Sequence, residues 1–160
     1  MDDGDGHRTV VLCDFDGTVC LIDTAEYILD HHAQGDWRAL ESDLDRGLLT
    51  LEECMSAQFD MISLSRDEML TELDEIVMPR PGFRELVEKC MAHDVRFRIT
   101  SAGMDFYIHH FLQPYGWRGM VEVVAPEVMD HGHGVRFRFP PLIFPQARNF
   151  KEDNVLREQA

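Results

Sequence analysis

Thr9-Val-Val-Leu-Cys13, followed at once by Asp14-Phe-Asp-Gly-Thr18-Val, is the stretch from which the rest of the chain can be read. The short β-branched, apolar run bounded by polar residues predicts a strand buried on both faces. Asp14 and Asp16 stand two residues apart directly after it, so continued extended geometry puts both carboxylates on one side. That is the carboxyl end of the strand, where open parallel sheets place their ligands. Two carboxylates so close repel each other, and a divalent cation is the usual remedy. Gly17 lets the backbone turn sharply, and Thr18 offers a hydroxyl and an N–H. These residue types suit a magnesium-assisted carboxylate nucleophile beside a carboxylic acid. A pair of acids in a solvated turn would explain the same letters alone, but the apolar strand before them and the helical segment after them favour chemistry.

Residues from about Cys20 to Met78 read as helical, with apolar spacings over Leu48 to Ile62 and Asp67 to Val77. Met78-Pro-Arg-Pro-Gly82 marks a hinge, because Pro79 and Pro81 disfavour helix before them. Phe83, Leu86, Val87, Cys90 and Met91 then form one apolar helical stripe, and Asp94 turns the chain into a strand over Val95–Ile99. Ser101-Ala-Gly103 follows, then a helix over roughly Asp105 to Gln113 stopped by Pro114 and Gly116. Val121–Ala125 predicts a third strand, and Met129 to Phe139 a hairpin around His131-Gly-His-Gly134. Strand, helix, strand, helix, strand implies an α/β fold, a Rossmann-like parallel sheet with helices on both faces. The expected division is a core of residues 1–19 and 80–160 with an inserted helical cap over 20–79.

The chain has 160 residues, 44% hydrophobic and 28% charged, enough for one buried core with a modest insert. Thirty Asp and Glu against fifteen Lys and Arg give a formal charge of −15. That balance excludes a general nucleic-acid binder and a surface that docks on an anionic membrane. Only Lys89 and Lys151 are lysines, and the acid excess predicts adaptation to salt. No apolar run approaches a membrane span. The acidic start, Met1-Asp-Asp-Gly-Asp-Gly, has no apolar secretory segment. Cys13, Cys20, Cys54 and Cys90 form no CxxC pair, which points to buried thiols and a cytoplasmic setting. His131 and His133 flank a glycine and read as a solvated turn. Oligomeric state is left open.

Asp-Phe-Asp-Gly-Thr-Val after an apolar strand resembles the first motif of the haloacid dehalogenase superfamily. The resemblance implies that Asp14 attacks phosphorus and becomes an aspartyl-phosphate. Asp16 would protonate the leaving oxygen and then activate water, and Mg²⁺ would be held by the Asp14 carboxylate and the Asp16 backbone carbonyl. The second motif, a Ser or Thr bonding the phosphoryl group, falls on Ser101 in Ser-Ala-Gly103, similar to the phosphoserine phosphatase branch. Alone, Ser101 also reads as a helix N-cap. Gly103 would let backbone N–H groups approach phosphate, and Thr18 would join the binding set. The third motif, a Lys that neutralises charge at the nucleophile, falls on Lys151 at the start of a helix, a role suited to a compact point charge. The fourth, acidic motif has no counterpart before Ala160. Asp153 stands too close to Lys151 and reads as a first-turn helix acid. Either the sequence is a fragment with the C-terminal part of the core missing, or this protein has lost a metal ligand.

In phosphoserine phosphatases a Glu nine residues after the nucleophile contacts the substrate amine; Asp23 stands there, and Gln58 falls near their carboxylate-binding Arg. Gly47 to Glu53, Gln58-Phe59, Pro81-Gly-Phe83 and Ser101 to Phe106 look more like the related 2-hydroxy-3-keto-5-methylthiopentenyl-1-phosphate phosphatases. The expected function is hydrolysis of a small phosphorylated metabolite. The alternatives are a non-catalytic phosphate-binding or interaction protein of the same fold, and a phosphotransferase with an acceptor other than water.

Overall fold

The computed structural model describes residues 9–117 and 119–160. The acidic start, Met1 to Gly6, with the reading of no secretory segment, lies outside the described residues. Strand β1 (Val10–Cys13) leads into the Asp14–Val19 turn, and four helices follow: α1 (Thr24–His32), α2 (Trp37–Asp45), α3 (Leu51–Phe59) and α4 (Arg66–Ile76). Their starts are chemically marked. Asp23 and Asp36 cap α1 and α2, while Thr50 with Glu53 and Ser65 with Glu68 form capping boxes on α3 and α4. Such caps allow helices of nine to eleven residues to begin sharply.

The two crossings of the hinge lie side by side. Cys20 bridges Pro79, the Leu21 N–H donates to Met78 O at 3.1 Å, and the Arg80 N–H donates to Val19 O at 2.8 Å. Helix α5 (Phe83–Ala92) then buries Phe83, Val87 and Cys90 from the predicted stripe. Two residues beyond its end stands Asp94, whose φ of 55° is the left-handed conformation that Asp tolerates. Strand β2 (Arg96–Thr100), helix α6 (Asp105–Leu112), a 3₁₀ turn (Gln113–Tyr115) and β3 (Glu122–Val124) complete the sheet unit. The hairpin β4 (Glu127–His131) and β5 (Gly134–Arg138) and helix α7 (Phe150–Gln159) follow.

The sheet is parallel, in the order β1-β2-β3, with Val11 opposite Phe97 and Ile99 opposite Val123. β2 shows why both faces are covered. Phe97 and Ile99 are buried, and the Phe97 ring meets Phe83 of α5 edge-on at 6.1 Å. On the other face Arg96 and Arg98 ion-pair with Glu158 of α7, each at 2.5 Å. β1 departs from expectation: its four residues are half-buried rather than buried on both faces. The reason is its place at the sheet edge, with β2 on one side only among the described residues.

The hairpin leans on helices α3 and α4. Phe137 packs edge-on against Phe59 at 4.9 Å, and the Arg66 guanidinium donates to Val128 O at 3.2 Å. Gly134 permits this approach, since a Cβ there would lie 2.7 Å from Ile62 O. No helix among the described residues is long and apolar enough to cross a membrane.

Candidate active site

Asp14 is the first residue beyond β1, and its carboxylate stays exposed. Its Oδ1 accepts the Phe15 N–H at 2.9 Å and lies 3.1 Å from Lys151 Nζ. Phe15 is fully buried and packs edge-on against Tyr107 and Phe111. That anchor holds the loop while the two aspartates on either side face away from the core. Gly17, at φ 65°, makes the turn that L side chains rarely adopt.

Asp16 is held much more tightly than Asp14. Its Oδ1 accepts two bonds from Thr24, the backbone N–H at 2.9 Å and the hydroxyl at 2.6 Å. Its Oδ2 lies 3.5 Å from Ser101 Oγ. Burial pushes the Asp16 carboxyl up to about 6; the Thr24 hydroxyl opposes this, and the charge of Asp23 adds to it. A carboxyl in that range can give up and take back a proton near neutral pH.

Ser101 is fully buried, one residue past β2. It does not cap α6, whose N-cap is Met104; instead its Oγ accepts the Gly103 N–H at 2.8 Å. Gly103 is sterically required, because an added Cβ would collide with Asp16 Oδ2. Lys151 sits in the first turn of α7, capped by Asn149.

Asp14, Asp16, Asp23, Ser101, Gly103 and Lys151 line one cleft of about 210 Å³. The remaining wall comes from α1, α2 and α3, including Glu26, Trp37, Glu41, Met55 and Gln58. Six of the seven predicted site residues therefore come together. Thr18 does not line the cleft: its N–H donates to Phe15 O, and its carbonyl accepts from Arg80 Nε at 2.7 Å. The turn at Gly17 carries Thr18 away from the two carboxylates. Asp23 lines the cleft but also caps α1, accepting the Glu26 N–H at 2.8 Å.

Three supporting roles escaped the sequence reading. Thr24 binds Asp16, and Arg80 bonds the Gly17 and Thr18 carbonyls. Asp153 is an acid in the first turn of α7, as its position implied, and it is fully buried. Its Oδ1 accepts the N–H groups of Ile143 and Phe144 at 2.6 and 2.7 Å, and its Oδ2 pairs with Arg157. Burial raises its pKa, but these partners win and hold it below the usual carboxylate range. Only the i, i+4 spacing of Asp153 and Arg157 was a sequence signal.

In the Asp14–Asp16 segment, Asp14 Oδ2 and the Asp16 backbone carbonyl accept no hydrogen bond among the described residues. One carboxylate and one carbonyl fit the protein share of a magnesium ion, which usually keeps several waters and takes phosphate oxygens. No group of three His, Cys, Asp or Glu side chains is arranged to hold a metal among the described residues.

Comparison with known proteins identifies the family. The family model for haloacid dehalogenase-like hydrolases matches residues 11–159. A 2-hydroxy-3-keto-5-methylthiopentenyl-1-phosphate phosphatase of Bacillus pumilus is 26% identical over 146 residues, 89% of this chain and 61% of that protein. One of the same name from an Exiguobacterium species is 30% identical over 126 residues, 78% of this chain and 55% of its own length. The chain thus spans little more than half the length of these relatives. In fold it resembles a substrate-bound phosphoserine phosphatase, with TM-score 0.64 and 14% identity over 81% of this chain and 63% of that one. The chain belongs to the haloacid dehalogenase-like hydrolase family.

Proposed function

We propose that this chain carries the catalytic centre of a Mg²⁺-dependent phosphomonoester phosphatase that acts on a small phosphorylated metabolite through an aspartyl-phosphate on Asp14. The observation that carries the reading is the Lys151 ammonium 3.1 Å from the Asp14 carboxylate, in one cleft with Asp16, Ser101 and Gly103. Residues 20–79 serve as the cap over this cleft.

Asp14 attacks phosphorus through a carboxylate oxygen, forming a P–O bond as the bond to the leaving alkoxide breaks. Asp16 gives its proton to that alkoxide, which departs as the alcohol. The ionised Asp16 then takes a proton from water as the water oxygen attacks phosphorus, releasing inorganic phosphate and restoring the Asp14 carboxylate. Lys151 neutralises charge gathering on the phosphoryl oxygens, and the Ser101 hydroxyl donates a hydrogen bond to one of them. Thr24 keeps Asp16 aimed and its acidity moderate. A magnesium ion on the Asp14 carboxylate and the Asp16 carbonyl would supply further charge neutralisation.

The test is Mg²⁺-dependent release of p-nitrophenol from p-nitrophenyl phosphate by the chain and by Asp14→Asn. Turnover lost in the variant is the expected result, and turnover retained by Asp14→Asn overturns the reading. Phosphate binding with no turnover in the parent chain would favour the non-catalytic phosphate-binding alternative.

A further inference from the structure

Three successive carbonyls follow Asp16, those of Gly17, Thr18 and Val19, and Arg80 donates to all of them. Its Nε meets Thr18 O at 2.7 Å, its Nη2 meets Gly17 O at 2.5 Å, and its backbone N–H meets Val19 O at 2.8 Å. The turn itself supplies no donor to these oxygens, since the N–H groups of Thr18, Val19 and Cys20 all turn inward to Phe15 O.

The sequence makes Arg80 a stiff donor. In Pro79-Arg80-Pro81 the prolines carry no N–H, so Arg80 alone can bond the turn from the main chain. Pro81 also biases Arg80 toward extended backbone. The Arg80 carbonyl accepts the Phe83 N–H at 3.1 Å, which ties the residue to the start of α5. Its side chain is exposed, yet the guanidinium forks onto two adjacent carbonyls.

Those bonds lock the softest joint of the loop. Gly17 has φ 65° and no Cβ, so its two dihedrals are the freest in the turn. Peptide units are planar, so holding the unit on each side of Gly17 fixes both dihedrals. The Gly17 N–H donates to Ile22 O at 2.9 Å and holds the plane that carries the Asp16 carbonyl. Arg80 Nη2 holds the next plane through Gly17 O. The Asp16 carbonyl and the Asp14 carboxylate are the oxygens that fit a magnesium ion. Both side-chain bonds of Arg80 go to carbonyls and neither goes to an aspartate, so its effect runs through the shape of the loop.

Resting on the Mg²⁺-dependent phosphatase reading, we infer that Arg80 is a positioning residue for the metal-binding loop. By clamping Gly17 and Thr18 it keeps the Asp16 carbonyl and the Asp14 carboxylate in one fixed arrangement for a divalent cation. The sign of the effect separates positioning from charge. Arg80 is itself a cation, so by charge alone its removal should strengthen the binding of another cation nearby. Loss of a group that orients metal ligands instead weakens binding, by roughly 10–100-fold.

Mn²⁺ is the probe, because it takes the same oxygen ligands as Mg²⁺ and its free ion is counted by electron paramagnetic resonance. Binding at this site is the part that Asp14→Asn removes. Arg80→Ala keeps the backbone bond to Val19, so the hinge should stay in place. In that variant Mn²⁺ affinity should fall about tenfold, and hydrogen exchange should quicken at Gly17 and Thr18 but not in β2 or α5. Affinity unchanged or raised in Arg80→Ala, no Asp14-dependent Mn²⁺ binding by the parent, or faster exchange spread through β2 and α5 overturns the inference. Arg80-dependent Mn²⁺ binding without hydrolysis of p-nitrophenyl phosphate would leave the inference standing and overturn the phosphatase reading. Hydrolysis by a chain whose Mn²⁺ affinity is indifferent to Arg80 would do the reverse.

Discussion

Lys151 Nζ lies 3.1 Å from Asp14 Oδ1 because α7 is fixed to the sheet by bonds made away from the cleft. Asn154 donates to Thr100 Oγ1 at 2.6 Å, Glu158 pairs with Arg96 and Arg98, and Asp153 holds the Ile143 and Phe144 N–H groups. The lysine is therefore preorganised, so its charge acts without a reorganisation cost. Lys151→Met should lower kcat for p-nitrophenyl phosphate by about 10²–10³ with little change in Tm, since the pair is partly exposed. Lys151→Arg should not restore the rate, because a planar guanidinium cannot replace a compact ammonium. Steady-state kinetics on both variants checks this, and full activity in Lys151→Met would remove the lysine from the mechanism.

Gly103 is a test of how closely the second sequence motif approaches the first. An added Cβ would strike the Asp16 carboxylate and would lie 3.1 Å from Ser101 Oγ. The carboxylate cannot swing away without losing its bonds from Thr24. Gly103→Ala should therefore lower kcat at least tenfold while KM changes little. It should also shift the acid–base profile of kcat, which a purely structural defect would not do. A parent-like pH–rate profile would show that the neighbours yield harmlessly.

Asp16 links activity to stability. Its carboxyl titrates near 6 in the fold against 3.8 unfolded, with burial as the main cause. The native state then binds more protons between those values, so stability falls as pH rises through that window and the cost is fully present above about 6. Asp16→Asn removes the charge and keeps an oxygen that can accept from Thr24. In EDTA, the variant should melt above the parent at pH 7.5, by an amount of order 1–3 kcal/mol, and the gain should shrink toward pH 4. Thermal melts at both pH values decide it, and an equal shift at both would exclude titration of Asp16 as the cause.

The sheet strands, the hinge and the motif-bearing residues were legible because each has a local cause. The apolar run ending at Cys13 makes β1, the prolines at 79 and 81 follow the four-helix stretch, and the stripe from Phe83 makes α5. The partners of those residues were not legible, because they depend on contacts far apart in sequence. Nothing local in Thr24 announces that it will bond Asp16 eight residues earlier, or in Arg80 that it will bond the Gly17 and Thr18 carbonyls. Asp153 is the first-turn helix acid its position implies, but its burial was hidden for the same reason: it depends on the Ile143–Phe144 backbone folding over it. Thr18 failed differently, through one left-handed glycine that turns it out of the cleft.

The acid excess makes a prediction about the whole molecule rather than one site. At −15, long-range repulsion among carboxylates opposes the compact state, and the ion pairs on the surface are too few to cancel it, since acids outnumber bases thirty to fifteen. Salt screens both repulsion and attraction, cutting the Debye length from ~10 Å at 0.1 M to ~3 Å at 1 M. Repulsion summed over a twofold excess of acids is longer in range than the contact pairs, so screening should stabilise on balance. Tm should rise by several degrees between 0.05 and 1 M KCl, where each 2–4 °C is roughly 1 kcal/mol for a chain near this size. KCl is the informative salt because sulfate would strengthen apolar burial in any protein. A melting temperature flat or falling over that range would mean that the contact pairs, such as Arg98 with Glu122 and Glu158, outweigh the net charge, and would remove salt adaptation as the reason for the composition.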